Sequence, residues 1–333
     1  MGCVNIKKVK PSYLKLYESG ELAKRAEALM ARLASCDICP RTCRVNRLEN
    51  RIGRCNSGFL PIVSACVAHF GEEPAISGSR GSGTIFFGNC NMRCVYCQNH
   101  QISQNPDSQR GNELSVEELA EKMLYLQNTL KCHNINLVTP SHFVPQILSA
   151  LVIAAEKGLS LPLVYNTSSY DSLETLKTLD GVVDIYLADL RYGSDISGRR
   201  YSGVLDYTTR ARAAITEMYR QVGDLTVDED GVATKGLIVR HLILPGGVAG
   251  SRQSLTWLLG KVSPMLAVSI MAQYHPSHRA ERYPEISRWI TKAEYDEVVV
   301  IAKELGLENG WFQELDAAEH FLPDFTREER PFE

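Results

Sequence analysis

The chain has 333 residues, of which 44% are hydrophobic and 23% are charged, and its formal net charge is -3. This composition is typical of an ordinary globular protein with a large core, and the length allows one large domain or two smaller ones. A small negative charge gives the whole protein no attraction to nucleic acid or to an anionic membrane, so we do not expect a nucleic-acid partner.

Seven of the ten cysteines fall into two tight clusters. The sequence has no signal-peptide core, and no apolar run approaches the roughly 20 residues that a membrane span needs, so we expect a cytoplasmic location without membrane partners. Disulfide scaffolds are typical of short secreted chains, whereas clustered cysteines in a long chain of this kind indicate metal ligation. The two clusters are therefore the candidate metal sites.

The first predicted element is an amphipathic helix that begins near Ser19, because apolar residues recur at helical spacing over residues 22–33. Residues 36–83 are irregular and contain several prolines and glycines, which predicts a small module organised by a metal. We assign residues 1–80 to this N-terminal helix and cysteine-rich module, residues 81–315 to the main domain and residues 316–333 to a C-terminal tail.

Beyond the module, short apolar runs alternate with helical patterns. Six strand–helix units in strict alternation indicate a parallel α/β architecture, which right-handed crossovers can curl into a barrel. Ser115, followed by Glu118, forms a capping-box start for the first helix of this series. The predicted strands are 84–87, 135–138, 163–165, 182–188, 237–244 and 266–271, and the predicted helices are 116–130, 144–157, 172–179, 207–222, 254–261 and 293–305.

Polar residues follow nearly every predicted strand, as a parallel barrel requires if its site lies at the carboxyl ends of the strands. The fifth strand is less clear, because Arg240 and His241 fall inside its pattern. The polar groups after the other strands are Asn89-Cys90, Thr139 with Ser141 and His142, Asn166-Thr167-Ser168, Asp189 with Arg191, and Gln273-Tyr274-His275.

The second cysteine cluster in chain order, Cys90, Cys94 and Cys97, has the spacing C-x3-C-x2-C and directly follows the first predicted strand. Three thiolates can bind three irons of a [4Fe–4S] cube and leave the fourth iron open, whereas ordinary electron-transfer clusters use four cysteines. Two other interpretations fit the spacing: a zinc site completed by His100, and a ferredoxin-like cluster with its fourth ligand elsewhere.

With Tyr96 as its aromatic residue, this C-x3-C-x-aromatic-C motif resembles that of the radical S-adenosylmethionine superfamily. The surrounding sequence, over about residues 83–315, resembles the pyruvate formate-lyase-activating-enzyme-like branch, and residues 165–168, 184–191, 240–246 and 273–276 carry that resemblance. It implies a partial (β/α)6 TIM-like barrel with a small N-terminal cysteine-rich module.

The resemblance also implies a chemistry. S-adenosylmethionine would chelate the open iron of the [4Fe–4S] cluster, and an electron from a donor such as flavodoxin or ferredoxin would cleave it to methionine and a 5'-deoxyadenosyl radical. That radical would abstract hydrogen from a substrate, for which a glycyl radical protein is the first candidate. A small molecule, a peptide or RNA is the alternative, and a non-enzymatic metal-binding module is a third hypothesis.

Cofactor-binding residues follow from the same resemblance. Asp189 with Arg191 resembles the family's Asp-Leu-Lys segment, which contacts the methionine part of the cofactor or a nearby monovalent cation, and His275 is expected near the adenosine. The family usually has Gly-Gly-Glu after the second barrel strand, but here Thr139 and Ser141 provide only hydroxyl acceptors for the cofactor's ammonium group. The remaining candidates are Tyr96, Asn166, Thr167, Ser168, Arg240 and Tyr274.

The N-terminal cluster has the spacing C-x2-C-x3-C-x11-C, formed by the cysteines Cys36, Cys39, Cys43 and Cys55. Four thiolates satisfy either a closed tetrahedral zinc site, which the spacing slightly favours, or a second iron–sulfur cluster. Because the ligand set is complete, we expect this second metal site to be structural.

Overall fold

The computed structural model describes residues 10–315, 322–325, 327 and 331–332. Residues 1–9 of the predicted module and most of the predicted tail 316–333 lie outside this range. The strands are β1 (Val63–His69), β2 (Ser82–Phe87), β3 (Ile135–Val138), β4 (Leu163–Thr167), β5 (Ile185–Asp189), β6 (Thr226–Val227), β7 (Ala233–Leu242), β8 (Ala267–Met271) and β9 (Gly310–Phe312).

The helices surround this sheet in chain order. Their bounds are α1 (Tyr13–Glu18), α2 (Glu21–Ala31), α3 (Pro74–Ser77), α4 (His100–Ser103), α5 (Val116–Asn128), α6 (Val144–Glu156), α7 (Leu173–Thr178), α8 (Asp195–Ser202), α9 (Tyr207–Val222), α10 (Ser251–Trp257) and α11 (Lys292–Glu304). None of the helices in the described residues is long and apolar enough to cross a membrane.

The sheet runs in the order β1-β2-β3-β4-β5-β7-β8-β9, and every neighbouring pair from β2 onward is parallel. Strand β1 pairs antiparallel with β2 at one edge, and the short β6 pairs antiparallel with β7. The order of the path leaves β1 and β9 as its two edges. The predicted six parallel strands of a partial TIM-like barrel are confirmed, with β9 added as a seventh.

The sheet buries a large outer core and two smaller clusters, one of which consists of Ala65, Phe86 and Ile102. The outer core lies between the strands and the surrounding helices, including α2, which packs against α6. The inner core is small, and Ala75 and Ile76 of α3 close it against residues such as Ile185 and Ile238. Because His69 at the end of β1 pairs with Ser82 at the start of β2, α3 lies at the amino-terminal end of the parallel strands.

Strand β1 lies in the segment that the sequence predicts to be irregular. Only Ala65 is buried in this edge strand, so its sequence shows no alternation of apolar and polar residues, and the pairing with β2 determines its conformation. The cysteine-rich segment therefore shares a sheet with the barrel. The short strand β9 and the helix α8 were also missed. The predicted domain boundaries at 80 and 315 stay predictions.

Candidate active site

The loop that follows β2 presents three sulfur atoms to one cavity. Asn89 ends the strand in a left-handed conformation, with a φ of 64°, and Cys90, Cys94 and Cys97 then line the cavity. Burial raises the pKa of Cys90 to about 12 and raises that of Cys97 as well. Free thiols at Cys90 and Cys97 would therefore stay protonated at neutral pH, and a metal would have to displace those protons.

Each of the three sulfurs has a polar partner. Met92 N donates to Cys90 Sγ at 3.4 Å, and Cys97 Sγ shares a hydrogen bond with Ser103 Oγ at 3.2 Å. These contacts, together with two further donors to Cys94, suit thiolates, which accept hydrogen bonds when they ligate a metal. The three cysteines therefore fit the ligand set of a cluster with one open iron.

The sulfur of Cys94 accepts hydrogen bonds from a charged guanidinium and from the last hydroxyl in a chain of three hydrogen-bonded hydroxyl groups. Arg191 Nη1 donates to Cys94 Sγ at 3.4 Å, and Ser202 Oγ donates to the same sulfur at 3.0 Å. Ser202 also bonds to the hydroxyl of Tyr192, which accepts from the hydroxyl of Tyr96, both at 2.7 Å. The aromatic residue of the cysteine motif is thus connected to its second cysteine, and Tyr192 and Ser202 are site residues that the sequence analysis missed.

Helix α8 supplies the backbone support for this loop. The carbonyl oxygens of Ser202 and Tyr201 accept hydrogen bonds from the backbone N–H groups of Arg93 and Val95, at 3.1 and 2.8 Å. Helix α8 is only eight residues long, and just three of its residues are buried. A helix this short and polar carries no strong apolar pattern, which explains why the sequence did not reveal it.

Arg191 keeps its charge inside the cavity. Its guanidinium donates to Asp189 Oδ2 at 2.8 Å. Burial alone lowers the pKa of Arg191, but Cys94 and Asp189 outweigh burial and raise it well above its ordinary value. The Nε of Arg191 is buried and has no hydrogen-bond partner within the described part of the chain.

The cavity has a volume of about 470 Å³, which is in the range of small-molecule sites. It extends from the three cysteines into the barrel, and most of the predicted cofactor residues line it. Those lining residues are Cys90, Cys94, Tyr96, Cys97, Thr139, Asn166, Thr167, Ser168, Asp189, Arg191, Arg240 and Tyr274.

Ser141 and His275 do not line the cavity in this structure, and their role in binding the cofactor stays a prediction. Ser141 is buried behind β4, where its hydroxyl lies 3.3 Å from Thr167 Oγ1. The imidazole of His275 bonds to Ser277 Oγ at 2.9 Å and packs against Trp289. Local partners therefore hold both side chains away from the cavity.

The Thr167 hydroxyl is likewise engaged in a buried network. It donates to Asp171 Oδ2 at 2.5 Å, and the Tyr165 hydroxyl donates to the other oxygen of Asp171 at 2.9 Å. Burial raises the pKa of Asp171 even though these donors lower it. Thr167 lines the cavity, but its hydroxyl already donates its proton to Asp171. The sequence analysis missed Asp171, because a buried aspartate in a loop has no distinctive local pattern.

The fifth predicted strand is β7 in the structure, and the two polar residues at its end, Arg240 and His241, lie on opposite faces of the sheet. Arg240 lines the cavity and contacts Glu72 and Glu73. His241 faces the opposite way, where its two ring nitrogens bond to Leu190 O and Ser251 Oγ at 2.8 and 2.9 Å. Burial lowers the pKa of His241 to about 4, so the ring is neutral. Arg240 and His241 are thus both paired with polar groups.

The four N-terminal cysteines form a knuckle beside the active-site loop, and none of them lines the cavity. Burial raises the pKa of Cys39 to about 12, and the neighbouring thiols of Cys55, Cys36 and Cys43 add to the rise. Among the described residues, no group of three or more His, Cys, Asp or Glu side chains is arranged to hold a single metal ion. This holds equally for the three cavity cysteines with His100, whose ring instead bonds to Cys97 O and stacks on His278.

Comparison with known proteins identifies the family. The family model of the Radical SAM superfamily matches residues 84–228, which contain the three cavity cysteines. The uncharacterized protein MJ0674 of Methanocaldococcus jannaschii is 30% identical over 308 residues, which are 90% of this chain and 81% of that protein. The chain belongs to the radical SAM superfamily.

Other similarities are weaker. The uncharacterized protein MJ0808 of the same organism is 27% identical over 180 residues, 48% of this chain and 50% of that protein. Among solved structures, HydG, a maturase of the [FeFe]-hydrogenase, has a TM-score of 0.43 and 13% identity, covering 92% of this chain. Methylornithine synthase (PylB) has a TM-score of 0.40 and 14% identity over the same share. The chain spans 60% of the HydG chain and 76% of the PylB chain.

Membership of the radical SAM superfamily implies an enzyme that uses a [4Fe–4S] cluster, S-adenosylmethionine and an electron donor. Reductive cleavage of S-adenosylmethionine through radical chemistry follows at the level of the superfamily. The finer resemblance to the pyruvate formate-lyase-activating-enzyme-like branch, the cytoplasmic location and the second metal site stay predictions.

Proposed function

We propose that this protein binds S-adenosylmethionine in the cavity beside Cys90, Cys94 and Cys97 and uses the resulting 5'-deoxyadenosyl radical to abstract hydrogen from a substrate in the same cavity. The observation that carries the proposal is the convergence of three sulfurs, each with a polar partner, on one cavity that continues into the barrel. When bound, the cluster and its cofactor supply the electron transfer and the carbon–sulfur cleavage.

The chain's own residues orient and protect this site. Asp189 fixes the guanidinium of Arg191, and Arg191 in turn stabilises the Cys94 thiolate while its unpaired Nε faces a buried environment. The hydroxyl chain from Tyr96 through Tyr192 to Ser202 holds the Cys94 sulfur from its other side. Such fixed donors need no reorganisation when charge moves, which is the protein's main contribution to catalysis here.

The walls of the cavity favour a small-molecule substrate over the loop of a glycyl radical protein. Pro323 and Phe332, near the C-terminus, line the cavity together with Trp311 of β9. Phe332 stacks on His69 with 3.9 Å between ring centroids and also contacts Phe86. These residues cover part of the cavity beside β2, and its volume of about 470 Å³ suits a cofactor and a small partner. A protein glycine, as in the activating-enzyme-like branch, is the second candidate.

For the N-terminal cysteines we propose a bound metal that is either zinc or an iron–sulfur cluster. The guanidinium of Arg47 is buried, and it contacts two carbonyl oxygens and, at 4.0 Å, the sulfur of Cys36. A buried cation is costly without an anion nearby. Thiolates that ligate a metal would provide that negative charge next to Arg47.

The proposed function is tested by anaerobic reconstitution with iron and sulfide, followed by chemical reduction in the presence of S-adenosylmethionine. We expect brown iron–sulfur absorbance and the formation of 5'-deoxyadenosine, measured by mass spectrometry. Deuterium transfer from candidate substrates into 5'-deoxyadenosine then identifies the hydrogen donor. A fully loaded protein that produces no 5'-deoxyadenosine with any reductant would contradict the proposal.

A further inference from the structure

One side of the protein, next to the loop that follows β2, is rich in arginine. Arg93, within this loop, donates to the carbonyl oxygens of Cys90 and Met92. Arg41 reaches the same loop from the N-terminal knuckle and donates to Asn91 O at 2.8 Å. Neither arginine lines the cavity. Two guanidinium groups therefore cover the loop on a side that does not face the cavity.

The exposed side of helix α8 adjoins these two arginines. Arg41 donates to Gly203 O, directly after α8, at 3.0 Å, and a Cβ atom on Gly203 would lie 3.9 Å from the Cβ of Arg93. Ile196 and Arg199 precede Gly203 by seven and four residues, so the three residues lie on one side of the helix. Both Ile196 and Arg199 are exposed.

Arg54, exposed within the knuckle, completes this surface, which we call the arginine face. Its carbonyl oxygen accepts a hydrogen bond from Arg93, and the positive charges of Arg54 and Arg41 repel that of Arg93. Within the described part of the chain, the four arginines of the face form no ion pair with a carboxylate; they are Arg41, Arg54, Arg93 and Arg199. Like charges held close together cost free energy when no counter-charge is beside them.

The carboxylates around the arginine face already have other partners. Those partners are Arg32 and Arg44 for Asp37, Arg200 for Glu285, and Thr208 N for Asp195. Because the whole chain carries a net charge of -3, the positive charge of this face is opposite in sign to that of the protein. A local positive surface of this kind attracts a partner that is itself acidic.

Exposed apolar side chains on the same face favour a protein partner over a nucleic acid. Ile196 and Leu205, which follows Gly203 by two residues, are 80% and 70% exposed. Protein interfaces combine apolar contacts with a polar rim, and arginine is enriched in them. Proteins that bind single-stranded nucleic acid present aromatic side chains on which the bases stack, whereas both of these exposed residues are aliphatic. The arginine face therefore matches an acidic protein.

We propose that the arginine face docks an acidic electron-carrier protein, which passes one electron at a time to the loop that holds Cys90, Cys94 and Cys97. The inference rests on the proposed function and names the surface through which its electron enters. The carrier is oxidised by one electron for each electron that the cluster accepts, and no atom is transferred. Because none of the four arginines lines the cavity, S-adenosylmethionine and the substrate can stay bound while the carrier docks.

Two contacts connect the arginine face to the cysteines of this loop. Arg93 is one hydrogen bond away from the carbonyl oxygen of Cys90, and its charge lies in range of Cys90 and Cys55. Helix α8 ends at Ser202, whose hydroxyl donates to Cys94 Sγ at 3.0 Å. A carrier docked against Arg93 and α8 would therefore rest on the two segments that directly contact Cys90 and Cys94.

The test uses the reconstituted holoenzyme, an acidic flavodoxin as the probe and the variant Arg54→Glu/Arg199→Glu. Calorimetry gives the dissociation constant of the flavodoxin, and 5'-deoxyadenosine formation is measured with reduced flavodoxin as the electron donor. We expect the variant to raise both the dissociation constant and the half-saturating flavodoxin concentration by at least about tenfold. In the wild type, added salt should weaken binding, because it screens exposed charges. Dithionite needs no docked protein, so with dithionite the variant should form 5'-deoxyadenosine at the wild-type rate.

Two further double variants serve as controls. Arg54→Lys/Arg199→Lys keeps both positive charges and should bind flavodoxin within about threefold of the wild type. Lys157→Glu/Lys261→Glu reverses two exposed charges that precede β4 and β8. These lysines lie at the amino ends of the strands, whereas the cysteine loop follows the carboxyl end of β2. The second control should therefore leave the dissociation constant of flavodoxin unchanged.

Equal flavodoxin affinity in the wild type and in Arg54→Glu/Arg199→Glu would overturn the inference, and so would wild-type binding that salt does not weaken. If a short single-stranded RNA binds the wild type more tightly than flavodoxin does, and the same variant loses that binding, the face belongs to nucleic acid instead. If the double variant fails to fold by circular dichroism, the single variant Arg199→Glu and the salt dependence of the wild type still decide. A wild type that forms no 5'-deoxyadenosine with dithionite, but binds flavodoxin through this face, would remove the proposed function alone.

Discussion

Two cysteine loops lie side by side in this protein and differ in what their sulfur atoms face. The loop after β2 supplies three cysteines to a cavity, and their sulfurs interact with Met92, Arg191, Ser202 and Ser103. The N-terminal knuckle supplies four cysteines, none of which lines that cavity. Three ligands leave a coordination position for another molecule, whereas four ligands close a site. If both loops bind metal, ligand number and access to the cavity would separate a reactive centre from a structural one.

Hydrogen bonds join the two loops directly. Arg41, within the knuckle, donates to Asn91 O at 2.8 Å, and Asn89 Nδ2 donates to Asn56 O at 2.9 Å. Arg93 donates to Arg54 O, and its charge lies in range of both Cys90 and Cys55. The knuckle therefore supports the reactive loop from behind, and a metal bound there would affect the cavity through this support.

The largest effect is expected from Cys94→Ala. Removing one of three ligands exposes a second iron and leaves Arg191 and Ser202 without the sulfur that they donate to. We expect formation of 5'-deoxyadenosine to fall to background and the iron–sulfur absorbance assigned to the cavity to disappear. Both are measured on anaerobically reconstituted protein.

The matched control is Cys132→Ala, which removes a buried cysteine that belongs to neither loop. Its iron content and cleavage activity should equal those of the wild type. Unchanged production of 5'-deoxyadenosine in Cys94→Ala would contradict the assignment of the reactive loop. A similar loss in both variants would show that the effect is one of general folding.

The barrel elements around the reactive loop were predictable, because each has a clear pattern within its own short stretch of sequence. Strand β3 and helix α9 have the predicted bounds, since a short, mainly apolar segment rich in β-branched residues indicates a buried strand and a 16-residue amphipathic pattern indicates a helix. The cysteine spacing likewise identified Cys90, Cys94 and Cys97 without reference to tertiary structure, and the family comparison agrees with it.

The support around the site was not predictable in the same way. Arg240 is 168 residues from Glu72 in sequence, and Ser202 is 108 residues from Cys94, so only the closed sheet brings these partners together. Edge strand β1, which positions Glu72, has one buried residue and no clear period. These features depend on pairing and packing between distant segments, which a single sequence does not display.

An intermediate effect is expected from Cys39→Ser. If the knuckle metal is structural, this variant should lose one metal site and become sensitive to limited proteolysis within residues 36–83, since the metal supplies much of the folding free energy there. We expect the rate of S-adenosylmethionine cleavage to stay within about tenfold of the wild type. The variant weakens three hydrogen bonds from side chains to backbone carbonyl oxygens between the loops, but it removes no cysteine that lines the cavity.

The measurements for Cys39→Ser are elemental analysis, proteolysis and 5'-deoxyadenosine formation on one preparation. The control is Cys66→Ser, a half-buried cysteine outside both loops, which should keep its metal content and its protease resistance. Loss of cleavage to background with the cavity cluster intact would overturn the structural role and indicate that the knuckle passes electrons to the reactive loop.

The smallest effect concerns Thr139, which lies on the cavity side where the family usually has glycine. Its φ is 61°, a left-handed conformation that a β-branched residue adopts only under strain. Thr139→Gly should therefore raise the free energy of unfolding relative to Thr139→Ala by about 1 kcal/mol, measured by chemical denaturation.

Both variants lack the hydroxyl that we expect to accept a hydrogen bond from the cofactor's ammonium group. Each should therefore raise the dissociation constant of S-adenosylmethionine by about two- to tenfold. Ser141→Ala, two residues away but outside the cavity wall, should leave that constant unchanged. If all three variants bind S-adenosylmethionine with the affinity of the wild type, neither hydroxyl binds the cofactor. The strained backbone at Thr139 would then serve only to turn the chain after β3.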